Sequence, residues 1–238
     1  MESSGLPVWI GLDKKEQQAW DVACESLLFH SSLPLAIQGL SWEFIPEYDR
    51  PQVLKNGKAW DTISNAPMST SHALARFWVP YLQDYNGWAL FTDGDTFWRK
   101  DVGELFALRN SKYAVMVVQH HYAPTQSTKK DGDIQTQYTR KNWSSVCLWN
   151  CGHPSNKILS PGYLNGIRGL DLHQFCWLND KHIGQLPEEW NWLVNHSNPL
   201  IDPALVHFTE GMPYIEGHEN DPYAEEWRAA SKVLALPI

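Results

Sequence analysis

The chain lacks several things whose absence narrows its class. Its 238 residues contain 4 cysteines, Cys24, Cys147, Cys151 and Cys176. None has the paired spacing of a zinc site, so a disulfide framework or zinc module is not expected, and a reducing, cytoplasmic compartment is. No apolar run approaches the roughly 20 residues needed to span a bilayer. The start Met1-Glu-Ser-Ser-Gly5 is polar and acidic, unlike a signal peptide. Positive charge is also short: 19 Lys and Arg stand against 27 Asp and Glu, a formal charge of −8. General nucleic-acid binding needs a positive field and is not expected. The pairs Arg99-Lys100, Lys129-Lys130 and Arg140-Lys141 read as solvated surface. There is no repeat and no low-complexity linker.

What is present is an ordinary globular composition, 43% hydrophobic and 19% charged, on a chain long enough for a sizeable core. Residues 7–12 read as a buried strand. Residues 14–30 read as an amphipathic helix with Asp13 as N-cap, and 33–38 as a second strand. This β–α–β opening implies a parallel sheet. Residues 43–67, rich in Pro, Asp and Asn, read as loop. A helix follows over 69–82, capped by Ser69 or Thr70, then a strand over 88–92, a short helix over 102–108 and a strand over 113–119. Residues 120–142 are polar and irregular, a candidate functional loop. A strand at 146–149, a helix at 170–178, a strand at 204–208 and a C-terminal helix from 219 complete the reading. The class is α/β: a nucleotide-binding, mainly parallel central sheet flanked by helices. One domain is expected over 1–238, with a first half at 1–110, a second half at 111–215 and the C-terminal helix at 216–238. Ligands of such sheets sit beyond the carboxyl ends of the strands.

The most informative stretch is Trp88-Ala-Leu-Phe-Thr-Asp-Gly-Asp-Thr-Phe-Trp98. Residues two apart on an extended chain share a face, so Asp93 and Asp95 lie together where the strand ends. Two carboxylates that close repel unless a proton or cation sits between them. Hard oxygen ligands suit Mg²⁺, Mn²⁺ or Ca²⁺, and Mg²⁺ is commonly shared with substrate phosphates. Gly94 removes the side chain that would crowd a ligand. This reads as a seat for a metal–nucleotide complex; a simple Asp–Gly turn is the competing reading. The adjacent His120 and His121 face opposite ways on an extended chain and are set aside as a metal pair. Trp143, Trp149, Trp177, Trp190 and Trp192 cluster in the later half; some offer flat faces to a ligand, but most read as core.

Taken with Ala75-Arg76-Phe77 before it and Asp101-Val-Gly-Glu-Leu-Phe106 after it, this block resembles the GT-A sugar-nucleotide glycosyltransferases, the glycogenin-like family 8 in particular. Three further segments fall in that family's order. They are Asn142-Trp-Ser-Ser-Val-Cys-Leu148, His173-Gln174 through Gln185-Leu-Pro-Glu-Glu-Trp-Asn191, and Val206-His-Phe-Thr-Glu-Gly-Met-Pro-Tyr214.

The resemblance implies a metal-dependent hexosyltransferase moving a sugar from a nucleotide-diphosphate donor, UDP-sugar first, to a glycan or lipid-linked acceptor. Retention is the favoured outcome, and peripheral membrane contact is compatible with it. Asp93, Asp95 and His207 would hold Mn²⁺ or Mg²⁺, the imidazole tilting the choice to Mn²⁺. Arg76 would neutralise donor phosphate or orient Asp93. Ile10, Gly11 and Asp13 would line the base and ribose, while Gly94, Ser144, Ser145 and Gly211 would complete the donor site. Gln174 would act at the reacting face. For an inverting enzyme, Asp133, Asp171, Asp180 or Glu210 would be the candidate base.

The chain departs from the family pattern at three places. Met212 replaces a lysine that helps neutralise the leaving diphosphate, for which Arg140, Lys141 or Lys100 would have to substitute. His173 replaces an acceptor-binding aspartate, and Trp143-Ser144-Ser145 replaces Asn-Ser-Gly. Two other classes remain open: a sugar- or nucleotide-sugar-binding protein of the same fold without turnover, and a metal-dependent phosphohydrolase.

Overall fold

The computed structural model describes residues 5–55, 58–121 and 140–234. Strand β1 (Leu6–Gly11) is followed by a short 3-10 turn and helix α1 (Gln17–His30), then β2 (Leu35–Leu40). Asp13 caps this start by accepting from the Lys15 amide at 3.0 Å. β1 pairs in parallel with β2, so the β–α–β opening forms as its sequence pattern implies.

Residues 43–67 are not simply loop. They hold an antiparallel meander of β3 (Gln52–Lys55), β4 (Lys58–Asp61) and β5 (Ala66–Pro67). These strands are too short to show a period of two, and the meander is tied down from outside. The buried Arg50 guanidinium meets Asp61 at 2.7 Å and donates to the carbonyls of Leu164 and Ile167 at 2.6 and 2.7 Å. Residues 69–82 also depart from a single helix. They form turns, a 3-10 segment (Ala75–Trp78) and one helical turn, α2 (Val79–Leu82). Neither proposed cap operates at 69 or 70: the Thr70 hydroxyl has no hydrogen-bond partner, and the segment is anchored by Ser71, whose amide donates to Asp13 at 3.0 Å. A long-range contact overrides local propensity here.

The remaining elements follow the expected order with shorter bounds. They are β6 (Trp88–Thr92), β7 (Thr96–Trp98), α3 (Val102–Ala107), β8 (Val115–Val117) and β9 (Val146–Asn150). Next come α4 (Pro161–Gly166), α5 (Gly169–His173), β10 (Ile183–Gln185), β11 (Trp192–Leu193), β12 (Leu205–His207) and α6 (Ala224–Leu234). The helix expected over 170–178 stops early because Phe175 adopts a left-handed φ of 52°, which ends the helical run. The C-terminal helix begins at Ala224 rather than 219.

The central sheet runs β10-β8-β9-β6-β1-β2 and is mixed. The β1–β2, β1–β6 and β8–β10 pairs are parallel, while β9 runs antiparallel to both its neighbours. Thus β1, β2, β6, β8 and β10 all point the same way, and one edge of the sheet carries all five carboxyl ends. A small second sheet, β11-β12-β7, sits against that edge. Its β12–β7 register places His207 opposite Thr96.

Val8, Ile10, Leu90 and Leu148 face one side of the main sheet, packing with Leu27 and Trp98. Trp9, Phe91, Cys147 and Trp149 face the other, packing with Phe77 and Phe175. Of the five later tryptophans, Trp149, Trp190 and Trp192 are buried and Trp143 and Trp177 half-buried, so they serve mainly as packing. All four cysteines are free. Among the described residues no helix is long and apolar enough to cross a membrane.

The Arg50–Asp61 pair gives a direct test. Burial alone would raise the Asp61 pKa; the hydrogen bonds from Arg50 and Ser64 outweigh it and hold the carboxyl below its usual range. Its stabilisation is therefore present above the unfolded carboxylate pKa and lost as pH falls through the lowered folded value. Asp61→Ala leaves the guanidinium buried without its partner, and urea denaturation should show a loss of about 3–5 kcal/mol. A loss below 1 kcal/mol would mean that the pair does not anchor the meander.

Candidate metal and nucleotide site at the carboxyl edge of the sheet

β6 ends at Thr92, and Asp93-Gly94-Asp95 crosses the carboxyl edge into β7. Three contacts hold this turn in place: the Asp93 amide donates to the Ser145 carbonyl at 2.9 Å, the Thr96 hydroxyl to the Asp93 carbonyl at 2.9 Å, and the Phe208 amide to the Asp95 carbonyl at 3.0 Å. Gly94 permits a close approach, since a Cβ there would lie 2.3 Å from the Gly11 carbonyl oxygen. The turn is thereby pressed onto the end of β1.

The two carboxylates have different surroundings. Asp93 is buried and held by Arg76, at 2.7 Å to Oδ1 and 3.2 Å to Oδ2. His72 Nε2 approaches Oδ1 at 3.3 Å. Burial would raise the Asp93 pKa, but Arg76 and His72 outweigh it and hold the carboxyl well below the usual carboxylate range. Arg76 also donates to the Ser144 carbonyl at 3.0 Å. It therefore orients Asp93, one of the two roles expected of it.

Asp95 is half-buried, and its Oδ1 lies 3.2 Å from His207 Nε2. His207 Nδ1 contacts Asn191 Oδ1 at 2.9 Å, while Asn191 Nδ2 donates to Ser145 Oγ at 2.9 Å and to the Asn142 carbonyl at 3.3 Å. Those two donations orient the amide, so its oxygen accepts from Nδ1–H and Nε2 is left facing Asp95. Burial would lower the His207 pKa, yet Asp95 and Asp93 outweigh it and raise it.

Asp93, Asp95 and His207 each offer a ligand atom, all within 4.8 Å of one another. Asp93 Oδ1 and Asp95 Oδ1 are buried yet accept no aligned hydrogen bond. Two carboxylates, an oriented imidazole and under-satisfied oxygens form a donor set that fits Mn²⁺ or Mg²⁺.

The other expected residues divide. Gly11 lies under the His72 ring, 2.5 Å from where a Cβ would be. Asp13 lies in the adjoining loop. Ile10 points its side chain into the core, and only its backbone borders the edge. Ser144 and Ser145 are buried beside Asp93, with Ser144 Oγ 2.8 Å from His173 Nδ1. Burial and then Arg76 push His173 down to about 3, so it is a neutral ring where an aspartate was expected. The Gln174 carbonyl accepts from Arg140. Gly211 packs against His218, in a turn beyond β12. Met212 is buried with Phe208 and Trp227, and no cation occupies its place. Two of the suggested substitutes are paired elsewhere, Lys100 with Asp202 and Arg140 with Asp180. Asp133 lies outside the described residues.

Five contributors escape a reading of the sequence. His72 falls inside a stretch read as helix, where no pattern marks it. Asn191 ends a segment quoted for its family likeness, but only the tertiary contact reveals its hold on His207. Glu16 lies near the pair, its carboxyl pushed up to about 7 by burial and then by Asp95, with Asp13 and Asp93 adding and His72 opposing. Tyr214 is pushed up to about 12 by burial, then by Glu16 and Asp95. His120 is pushed down to about 3 by burial and by His207.

This architecture defines a class: the fold is that of the GT-A-type glycosyltransferases. The chain is similar to the galactosyltransferase LgtC, solved with donor and acceptor sugar analogues, with a TM-score of 0.59, 13% identity and 98% of each chain covered. It is also similar to the glycosyltransferase GlyE of Streptococcus pneumoniae, at TM-score 0.56 and 15% identity over 95% of this chain. The bifunctional glycosyltransferase WbbM matches at TM-score 0.59 and 14% identity over 96% of this chain. The chain spans 60% of the GlyE chain and 52% of the WbbM chain. No protein-family model matches. The chain belongs to the family of Protein CDI of Arabidopsis thaliana, with which it is 38% identical over 231 residues, 95% of this chain and 86% of that protein.

Gly94→Ala tests the close approach. The Gly11 oxygen belongs to the backbone and cannot swing aside, so overpacking should cost about 1–3 kcal/mol. Denaturation midpoints should fall for Gly94→Ala but stay near wild type for Gly162→Ala, where a Cβ meets nothing within 4 Å. Equal midpoints for the two variants would refute the packing of the turn on β1.

Proposed function

We propose that this protein is a metal-dependent glycosyltransferase that moves a sugar from a nucleotide-diphosphate donor, UDP-sugar first, to a glycan or lipid-linked acceptor. The observation that carries the reading is the convergence of Asp93, Asp95 and His207 at the carboxyl edge of a GT-A-type sheet. These three residues would hold the cation. When bound, a divalent cation supplies Lewis acidity that offsets the charge growing on the leaving diphosphate. Arg76 and His72 hold Asp93 ionised, Asn191 presents His207 Nε2, and Gly94 keeps the turn low against Gly11. Gly11 and Asp13 border the donor's side of the edge, with Ser144 and Ser145 across it. The order of the motifs supports placing the chain beside family 8.

Retention is the stereochemical outcome this reading favours. The described carboxylates suggested as an inverting base are already engaged: Asp171 with Arg168 at 2.8 Å, Asp180 with Arg140, and Glu210 with His196 at 3.1 Å. Gln174 is the residue we assign to the reacting face. The free thiols support a reducing, cytoplasmic compartment. A second reading, a nucleotide-sugar-binding protein without turnover, is favoured by one observation: Met212 is buried in the core where the family pattern has a lysine.

Thermal unfolding with UDP and Mn²⁺ tests the site. At about 100 times the dissociation constant a ligand stabilises by roughly 2.7 kcal/mol, or roughly 5–10 °C for a chain of this size. The full shift is expected only with both ligands together, and it should be lost in Asp95→Asn. If neither UDP nor another nucleoside diphosphate moves the wild-type midpoint, the transferase reading fails. A shift without transfer from any sugar donor would favour the binding protein.

A further inference from the structure

The same edge carries a second concavity that the donor site does not use. β8 and β10 run parallel to β6, so the residues just past their ends, Gln119 and His120 after β8 and Gln185 at the end of β10, open on the side where Asp93 and Asp95 sit. Together with the turn 196–198 they line a cavity of about 490 Å³, within the roughly 300–1,000 Å³ of small-molecule sites. One wall is Leu193, the register neighbour of His207 in the small sheet, and adjacent strands lie only about 4.8 Å apart. β9 lies between this half of the sheet and the half formed by β6, β1 and β2. The cavity thus borders the strand paired with the one that carries His207.

The lining is distinctive for what it offers a ligand. Among the described residues it contains the side-chain amides of Gln119, Gln185 and Asn198 and the imidazoles of His120, His121 and His196, but no lysine or arginine. Its one carboxylate among the described residues is Glu188, whose Oε1 accepts from the backbone N–H of Asn198 at 3.3 Å. His120 Nε2 is buried without a hydrogen-bond partner. Three of the eleven lining residues are aliphatic and none is a phenylalanine, tyrosine or tryptophan. A phosphate would call for arginine or lysine, and a prenyl or acyl chain for a continuous apolar wall. Amides and imidazoles instead both donate and accept, which matches hydroxyls that do the same.

Resting on the transferase reading, we infer that this cavity receives the acceptor and that the acceptor is a neutral, polyhydroxylated glycan rather than a phosphate- or lipid-linked sugar. Gln185 is exposed at its rim and Asn198 forms its far side. Both would hydrogen-bond the acceptor's hydroxyls, and neither touches the metal seat.

Saturation-transfer NMR on the full chain tests this, with and without UDP and Mn²⁺. The probes are neutral hexose and pentose oligosaccharides, uronic-acid oligosaccharides, and a polyprenyl-phosphate sugar in detergent. Neutral oligosaccharides should give signal, and Gln185→Ala or Asn198→Ala should weaken their binding about three- to tenfold, the worth of one hydrogen bond. Both variants should keep the wild-type thermal shift with UDP and Mn²⁺. Signal only from the charged or lipid-linked probes, from no probe, or from neutral probes unaffected by either substitution would overturn the inference. Neutral binding that responds to the substitutions, without any UDP–Mn²⁺ shift, would uphold the glycan cavity while removing the donor reading.

Discussion

The buried contact between Arg76 and Asp93 is the constraint on which the site turns. A carboxylate at 8% exposure is costly unless it is neutralised, and Arg76 does so with two nitrogens while also holding the Ser144 carbonyl. One guanidinium thereby joins the end of β6, the segment before β9 and the turns before α2. His72 adds a third nitrogen from the same turns, and its ring fills the space that Gly11 leaves open. The glycines at 11 and 94 are consequences of this crowding: each stands where a side chain would strike a neighbour. The second carboxylate is treated differently. Asp95 faces solvent more than Asp93 does, and its partner is an imidazole oriented through an amide. An acid locked by protein cations beside one left more open suits a seat that shares its cation with a substrate.

Charge around the pair gives the site its direction. Asp93, Asp95, Asp13 and Glu16 gather near one end of the edge, and Glu16 is pushed up by burial first and then by the negative field it shares. In the proposed reaction a bound cation would relieve that field, and the donor diphosphate would follow the cation rather than a fixed lysine. The buried Met212 fits that proposal, since it supplies no charge where the family pattern has a lysine. Across β9 the lining turns to amides and neutral rings. The proposed division of labour, nucleotide on one side and acceptor hydroxyls on the other, rests on this contrast in lining.

Much of the frame was legible in the chain. The β–α–β opening, β6 and the Asp-Gly-Asp turn at its end follow from periods of two and 3.6 and from turn chemistry, and each stands close to its expected bounds. His207 was legible through the order of motifs, and the small sheet delivers it to Asp95. The misreadings share one cause. Residues 69–82 carry a helical pattern but are drawn out of it by Ser71 on Asp13 and His72 on Asp93. Residues 43–67 lack periodicity because their strands are two to four residues long and rely on Arg50, whose carbonyl partners lie more than a hundred positions away.

By itself the sequence determined the α/β class, the parallel opening and the identity of two metal-ligand candidates, because those depend on neighbours two to four residues apart. Tertiary structure alone decided that β9 runs against its neighbours, that His72 and Asn191 serve the site, and that a polar cavity opens beside the carboxylates. Each of these depends on residues brought together from distant parts of the chain, and side-chain alternation carries no record of which distant partner a strand or a buried charge will meet.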